Sequence, residues 1–137
     1  MAIGIFDIDH FKKINDTYGH LVGDEVLCGF ARLLESNLRQ YDFLGRFGGE
    51  EFVVIAPGIR ENDVNTLYER LRAAVADNPI PTKAGNVSIT VSIGATIWRG
   101  KEKMDELLAA TDSALYQAKR GGRNRVCFAE GRIVEEE

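Results

Sequence analysis

Four acidic residues stand where two apolar segments end. Asp7 and Asp9 follow the run Ala2 to Phe6, and Glu50 and Glu51 precede the run Phe52 to Ala56. Carboxylates gathered in this way repel one another unless a cation compensates them. Hard cations such as Mg²⁺ take oxygen ligands, usually one or two protein carboxylates completed by substrate phosphates. Sites of that kind serve phosphoryl transfer. Taken singly, each acid reads as a solvated turn residue; four of them flanking two apolar strands point to a cation site. Gly48 and Gly49 lie beside the second pair. They either make the turn or let a ligand approach the backbone where a side chain would stand, and the residues leave both readings open.

A second cluster is basic. Lys119, Arg120, Arg123 and Arg125 gather at the end of the last helical segment. Cations there complement the helix dipole, or form a clamp for a polyphosphate, with lysine as point charge and arginine as fork. No Ser-His-Asp or Cys-His arrangement is present, and His10 and His20 read as isolated structural residues.

The elements that must position these groups follow from periodicity. Ala2 to Phe6 reads as a buried strand. A short helix opens at Asp9 or His10 and runs to about Tyr18, closed by Gly19 as a left-handed cap. A longer helix, Val22 to Leu38, presents Val26, Leu27, Phe30, Leu33, Leu34 and Leu38 to the core. Strands at Asp42 to Phe47 and Glu51 to Ala56 form a hairpin around Gly48-Gly49. A helix from Glu61 to Asp77 turns Val64, Leu67, Leu71 and Val75 inward, and Pro79 and Pro81 mark the loop after it. Val87 to Trp98 reads as one long strand, bent at Gly94. A helix from Met104 to Lys119 stops at Gly121-Gly122, Val126 to Ala129 forms a last short strand, and Glu135 to Glu137 is a frayed tail. The order β-α-α-β-β-α-β-α-β, with a tight hairpin inside it, requires a mixed, partly antiparallel sheet. A ferredoxin-like core with helices packed on one face is the simplest layered solution.

Composition narrows the function classes. The chain has 137 residues, one domain's worth, of which 45% are hydrophobic, which suits a globular α+β fold. A net charge of −4 gives no basic field for nucleic acid, though a phosphorylated small molecule held through metal ions remains compatible. No apolar run reaches the ~18 residues of a membrane span, and the N-terminus lacks a signal-peptide pattern. Cys28 and Cys127 read as reduced core residues of a cytoplasmic domain, whose full-length parent could still be membrane-anchored.

The motifs together resemble the GGDEF domains of diguanylate cyclases. Phe6-Asp7-Ile8-Asp9-His10-Phe11-Lys12-Lys13-Ile14-Asn15-Asp16, Gly19-His20 and Gly23-Asp24 are similar to the family's first signature. Gly48-Gly49-Glu50-Glu51-Phe52 resembles its namesake hairpin. Ser92-Ile93-Gly94, the run Ala114 to Lys119, and Gly122-Arg123-Asn124 resemble its later segments, in the right order across almost the whole chain. The resemblance implies a nucleotidyl-cyclase, palm-like core, a central mixed antiparallel sheet with helices packed around it. It implies Mg²⁺, with Mn²⁺ as an alternative, on Asp7, Glu51, Glu50 and the Ile8 carbonyl. Asp7, Glu50 and Glu51 would be catalytic, with Glu50 the candidate base for the ribose 3′-hydroxyl. Asn15 and Asp24 would read guanine, whose N1–H and exocyclic amine are both donors, while Lys119, Arg123 and Lys12 would hold the triphosphate beside Gly48 and Gly49.

The implied reaction condenses two GTP into cyclic di-GMP with release of two pyrophosphates, between two facing copies of the domain. Arg39 and Asp42 resemble the family's RxxD inhibitory site for cyclic di-GMP, with Arg70 completing it. Arg-x-x-Asp is also an ordinary pairing of a helix-end arginine with a turn aspartate. The family normally carries an earlier helix and an Asp-x-Leu-Thr-Gly-Leu-x-Asn-Arg segment, absent here, so the resemblance implies a shortened domain of a larger protein with an upstream sensory or receiver module. Rival readings are a catalytically silent sensor of GTP or cyclic di-GMP and a structural ferredoxin-like interaction domain. The first retains nucleotide binding without pyrophosphate release; the second binds no guanine nucleotide.

Overall fold

A computed structural model describes residues 1–129. The expected frayed tail at Glu135 to Glu137 lies outside the described residues. Among the described residues eleven elements follow one another: β1 Ala2–Ile8, α1 Phe11–Tyr18, α2 His20–Glu35, β2 Phe43–Gly48, β3 Glu51–Ala56, α3 Glu61–Asp77, β4 Ile80–Thr82, β5 Gly85–Val87, β6 Val91–Ile97, α4 Met104–Arg120 and β7 Arg125–Phe128. Five strands form one sheet in the order β2-β3-β1-β6-β7. Its pairs are antiparallel except β6 with β7, which run parallel.

β1 lies at the centre, and all seven of its residues are buried, which explains its near-continuous apolar sequence. Because side chains alternate along a strand, its two faces meet different helices. Ala2, Phe6 and Ile8 join Phe52, Val54, Val91 and Ile93 in one core with residues of α2 and α3, among them Val26, Phe30, Leu34, Val64, Leu67, Tyr68 and Leu71. The opposite face carries Ile3, Ile5 and Asp7, and α4 packs against β1, β6 and β7. Helices therefore cover both faces, not the single face that element order alone suggests. A lone amphipathic stripe does not reveal which side of a sheet its helix will take.

Four local differences have physical causes. Gly19 has φ 93° and ψ 164°, a positive-φ extended conformation rather than a left-handed helical cap. One glycine thereby ends α1 and starts α2 at His20, with no separate loop. The segment expected as a loop after Pro79 contains the β4–β5 ribbon, where Pro81 pairs with Asn86. A two-stranded ribbon tolerates the missing N–H, and Thr82 Oγ donates to the Gly85 carbonyl at 2.7 Å to close its turn. The expected single strand Val87 to Trp98 is broken between Val87 and Val91, because Gly85–Val87 pairs with β4 in the ribbon while Val91–Ile97 pairs with β1 and β7 in the main sheet. Cys28, expected in the core, is exposed, since α2 turns Val22, Val26, Leu27, Phe30 and Leu34 inward and leaves position 28 on its outer side. Cys127 is half-buried. No helix among the described residues is long and apolar enough to cross a membrane.

Gly94 sets the seating of α4. A Cβ there would lie 2.2 Å from the Leu115 amide nitrogen and 2.4 Å from the Thr111 carbonyl oxygen. These are backbone atoms of a helix, which cannot swing aside as a side-chain tip can. Gly94→Ala should lift α4 from the sheet and cost about 3 kcal/mol of stability, read as a lower urea midpoint. An unchanged midpoint would mean that the helix is not seated on the strand backbone.

Candidate active site

The central strand delivers Asp7 to the sheet end. In the β1–β3 register Asp7 stands opposite Glu51, and in the β1–β6 register opposite Ser92. Opposed residues on one face have Cβ atoms about 5 Å apart, so the pairing alone forces two carboxylates together. Asp7 is 5% exposed, and Lys119 of α4 forms an ion pair with its Oδ2. Burial raises the proton affinity of Glu51, and the negative charge of Asp7 raises it further, against a smaller opposing pull from Lys119. Burial works against the Lys119 charge, but the hydrogen bond and attraction of Asp7, with Glu51 and Glu50, raise its pKa overall.

Glu50 sits in the hairpin turn. The strands meet through Gly49-Glu50, with Gly48 still paired to Glu51 at the end of β2 and a register shift between Arg46 and Gly48. Arg46 Nε and Nη2 donate to the Gly49 carbonyl at 2.9 and 2.5 Å and tie the turn down. Gly49 has φ 39°, which the turn requires. Gly48 has no atom within 4 Å of the position a Cβ would take, so packing does not demand glycine there.

A cleft of about 160 Å³ is lined by Asp7, Ile8, Asp9, Lys12, Glu50, Lys119 and Arg123, among others. The structure thus gathers most of the residues singled out for metal and triphosphate, with Glu51 beside Asp7 on the neighbouring strand. The rest of the basic cluster turns elsewhere. Arg120 donates to the Tyr116 hydroxyl at 3.0 Å, and Arg125 Nε to the Arg123 carbonyl at 3.1 Å. Asn15 lies against Gly23 at the α1–α2 seam, where a Cβ on Gly23 would fall 1.8 Å from Asn15 Oδ1, and Asp24, the next residue of α2, is exposed. Gly23, unusual inside a helix, makes room for that amide. A larger cavity, about 580 Å³, lies elsewhere, between α1 and residues 86–90.

Asp9 behaves differently from Asp7 two residues earlier. Its Oδ1 accepts from Ser92 Oγ at 2.6 Å, and its Oδ2 accepts from Thr90 Oγ at 2.7 Å and from the Asn124 amide at 3.0 Å. This carboxylate is consumed in holding the fold, a role its sequence position does not disclose.

Among the described residues no three His, Cys, Asp or Glu side chains form a ready-made metal cage. The donor chemistry nevertheless suits a hard cation that takes few protein ligands and completes its shell with phosphate oxygens. Asp7 is buried and paired with an ammonium, and burial together with the charge of Asp7 raises the proton affinity of Glu51 beside it.

Arg39 and Asp42 lie at the other end of the hairpin. Arg39 Nε and Nη2 donate to Asp42 Oδ1 at 2.9 and 2.6 Å, and the Arg39 amide donates to Oδ2 at 2.8 Å. The Asp42 side chain is 0% exposed. Arg39 opens instead onto a groove of about 420 Å³ shared with Arg60, Asp63, Thr66 and Arg70. Asp42 therefore acts on Arg39 from behind, and Arg39 and Arg70 share the groove.

Residues 1–125 match the family profile described as diguanylate cyclase, GGDEF domain. The chain is 48% identical over 126 residues to diguanylate cyclase DgcP of Pseudomonas aeruginosa, covering 92% of this chain and 19% of that protein. It is 48% identical to DgcM of Escherichia coli, covering 91% of this chain and 30% of that protein. The chain thus spans between about a fifth and a third of these two curated relatives. The GGDEF domain of DgcB from Caulobacter crescentus, in complex with c-di-GMP, superposes with a TM-score of 0.87 at 37% identity, covering 95% of this chain and 78% of that one.

The carboxylate pair makes a stability prediction. A carboxyl whose folded pKa is raised opposes folding once ionised; the cost is absent below the unfolded-state pKa and complete above the folded one. Glu51→Gln should therefore melt above the parent at pH 7.5 without metal, with the gap closing near pH 4. A variant that melts lower at pH 7.5 would remove the repulsion from the account.

Proposed function

The chain belongs to the GGDEF-domain family of diguanylate cyclases, and from that premise we propose that it condenses two GTP into cyclic di-GMP and releases two pyrophosphates. The observation that carries the reading is the meeting of Asp7, Glu51 and Lys119 at the end of the central strand, with Glu50, Lys12 and Arg123 around the same cleft.

Asp7, Glu51 and Glu50, with the Ile8 carbonyl, would hold Mg²⁺ or Mn²⁺. Such ions, when bound, neutralise phosphate charge and make a nearby hydroxyl more acidic. Lys119, Lys12 and Arg123 bind the triphosphate. Asp24 accepts from guanine N1–H and the exocyclic amine, and Asn15 supplies a further contact at the same edge. Adenine offers no such donor pair, so GTP is favoured over ATP. Open space at Gly48 lets the nucleotide lie against the hairpin backbone. Glu50 takes the proton of the ribose 3′-hydroxyl as its oxygen attacks the α-phosphate of the nucleotide on a facing copy. Each copy then supplies half of the reacting geometry, and positioning accounts for much of the rate.

The same reading places product inhibition at the groove of Arg39 and Arg70. Asp42 holds Nε and Nη2 of Arg39 and the Pro57 carbonyl also accepts from Nη2, which leaves Nη1 to donate to a phosphate in the groove and supports a regulatory role beyond a helix-end pairing.

Incubation of the concentrated protein with GTP and Mg²⁺, followed by chromatography, should yield cyclic di-GMP and two pyrophosphates per product. Glu51→Gln should yield none while remaining folded. GTP binding without product would assign the chain to nucleotide sensing, and full product from Glu51→Gln would remove the metal assignment. Arg39→Ala should relieve inhibition by added cyclic di-GMP at least about tenfold, as loss of a charge-assisted contact allows, with synthesis little changed. Equal inhibition of variant and parent would exclude the groove.

A further inference from the structure

Arg123 reaches the cleft from an unusual turn. Arg123 and Asn124 both have left-handed backbones, with φ 64° and 48°, and neither is glycine. A left-handed arginine costs about 1–2 kcal/mol, while asparagine visits that region more readily, so contacts with the surroundings must favour the turn. The Arg123 amide donates to the Ala118 carbonyl at 3.0 Å, as the end of α4. The Asn124 amide donates to Asp9 Oδ2 at 3.0 Å. The third hold comes from α3: Arg72 Nη1 donates to Asn124 Oδ1 at 2.7 Å.

Arg72 is itself fixed in direction. Its Nε donates to Glu69 Oε1 and Oε2 at 3.0 and 3.1 Å, and its Nη2 to Oε2 at 2.6 Å. One edge of the guanidinium is thus spent on Glu69, and Nη1 is left to face Asn124. Only 19% of the side chain is exposed. Arg72 is absent from the residues lining the cleft, so any effect it has on a nucleotide must pass through the turn.

We propose that Arg72 is a positioning residue for triphosphate binding, clamping Asn124 so that the turn presents Arg123 to the cleft. The inference rests on the assignment of Arg123 to the triphosphate. It makes α3 a structural support of the nucleotide site, although no residue of α3 lines the cleft.

The test compares the parent, Arg72→Met, Arg123→Met and the double variant for binding of 3′-deoxy-GTP with Mg²⁺ by calorimetry. That nucleotide has no 3′-hydroxyl and cannot react. Arg72→Met keeps the aliphatic stem and removes the donors. It should weaken binding about fivefold, the range of one lost hydrogen bond, and Arg123→Met should weaken it at least as much. Because Arg72 acts through Arg123, the double variant should bind no more weakly than Arg123→Met alone. Hydrogen exchange at the Asn124 amide should quicken in Arg72→Met. Unchanged binding in Arg72→Met, or the same fivefold loss when Arg123 is already gone, would overturn the proposal. A parent that does not bind 3′-deoxy-GTP would bring down the functional reading itself, and with it this inference.

Discussion

The structure turns on one pairing. Antiparallel register between β1 and β3 sets Asp7 against Glu51 at a sheet end that α4 covers, where burial and the charge of Asp7 raise the proton affinity of Glu51 and favour a nearby cation. Lys119 answers that need from α4. Its reach depends on the helix lying directly on β6, which the missing side chain of Gly94 permits. Site and fold are thus linked through α4. The helix that buries Leu107, Ala114, Leu115 and Ala118 is also the one that carries the charge balancing Asp7.

Asp7 and Asp9 show how far register governs the fate of a residue type. Both are buried and both lie at the end of the same strand. Asp9 meets two hydroxyls and a backbone amide, so its charge is satisfied by hydrogen bonds from neutral donors. Such a carboxylate has little left to offer a ligand. Asp7 meets an ammonium and another carboxylate, an arrangement that a mobile cation or a phosphate can rearrange. The first ties β1, β6 and the turn after α4 together; the second is available for chemistry.

Most of the fold is legible in the sequence because it rests on periodicity. The stripe of α2, the hairpin, and the inward residues of α3 are written in spacing that only one element type satisfies. What escapes is written in tertiary contacts. The β4–β5 ribbon hides behind two prolines that ordinarily break structure. Cys28 looks like core by residue type, yet its angular position on α2 decides otherwise. The gathering of Asp7, Glu50, Lys12, Lys119 and Arg123 about one cleft is expected from motif resemblance, not from spacing, since more than a hundred residues separate its ends. The pairing of Lys119 with Asp7, the anchoring use of Asp9 and the hold of Arg72 on Asn124 leave no local signature. Two consecutive non-glycine residues after a Gly-Gly stop are the nearest thing to a signal, because a left-handed arginine and asparagine need outside support.

The charge of the cleft bears on how a nucleotide must arrive. Lys12, Lys119 and Arg123 face Asp7, Asp9 and Glu50, with Glu51 beside Asp7, so acidic groups outnumber basic ones, in a chain whose net charge is already −4. A bare triphosphate gains little from such a site: each lysine it recruits uncovers a carboxylate that repels it. Lys119 makes the conflict sharpest, since the ammonium paired with Asp7 is also one that we assign to the triphosphate. A triphosphate that carries its own divalent cations removes the conflict, because the carboxylates then gain a partner as the lysine is drawn away. On the function we propose, acids and bases interleaved at one sheet end would therefore select a metal-complexed nucleotide over either component alone, through electrostatics and without any dedicated metal cage.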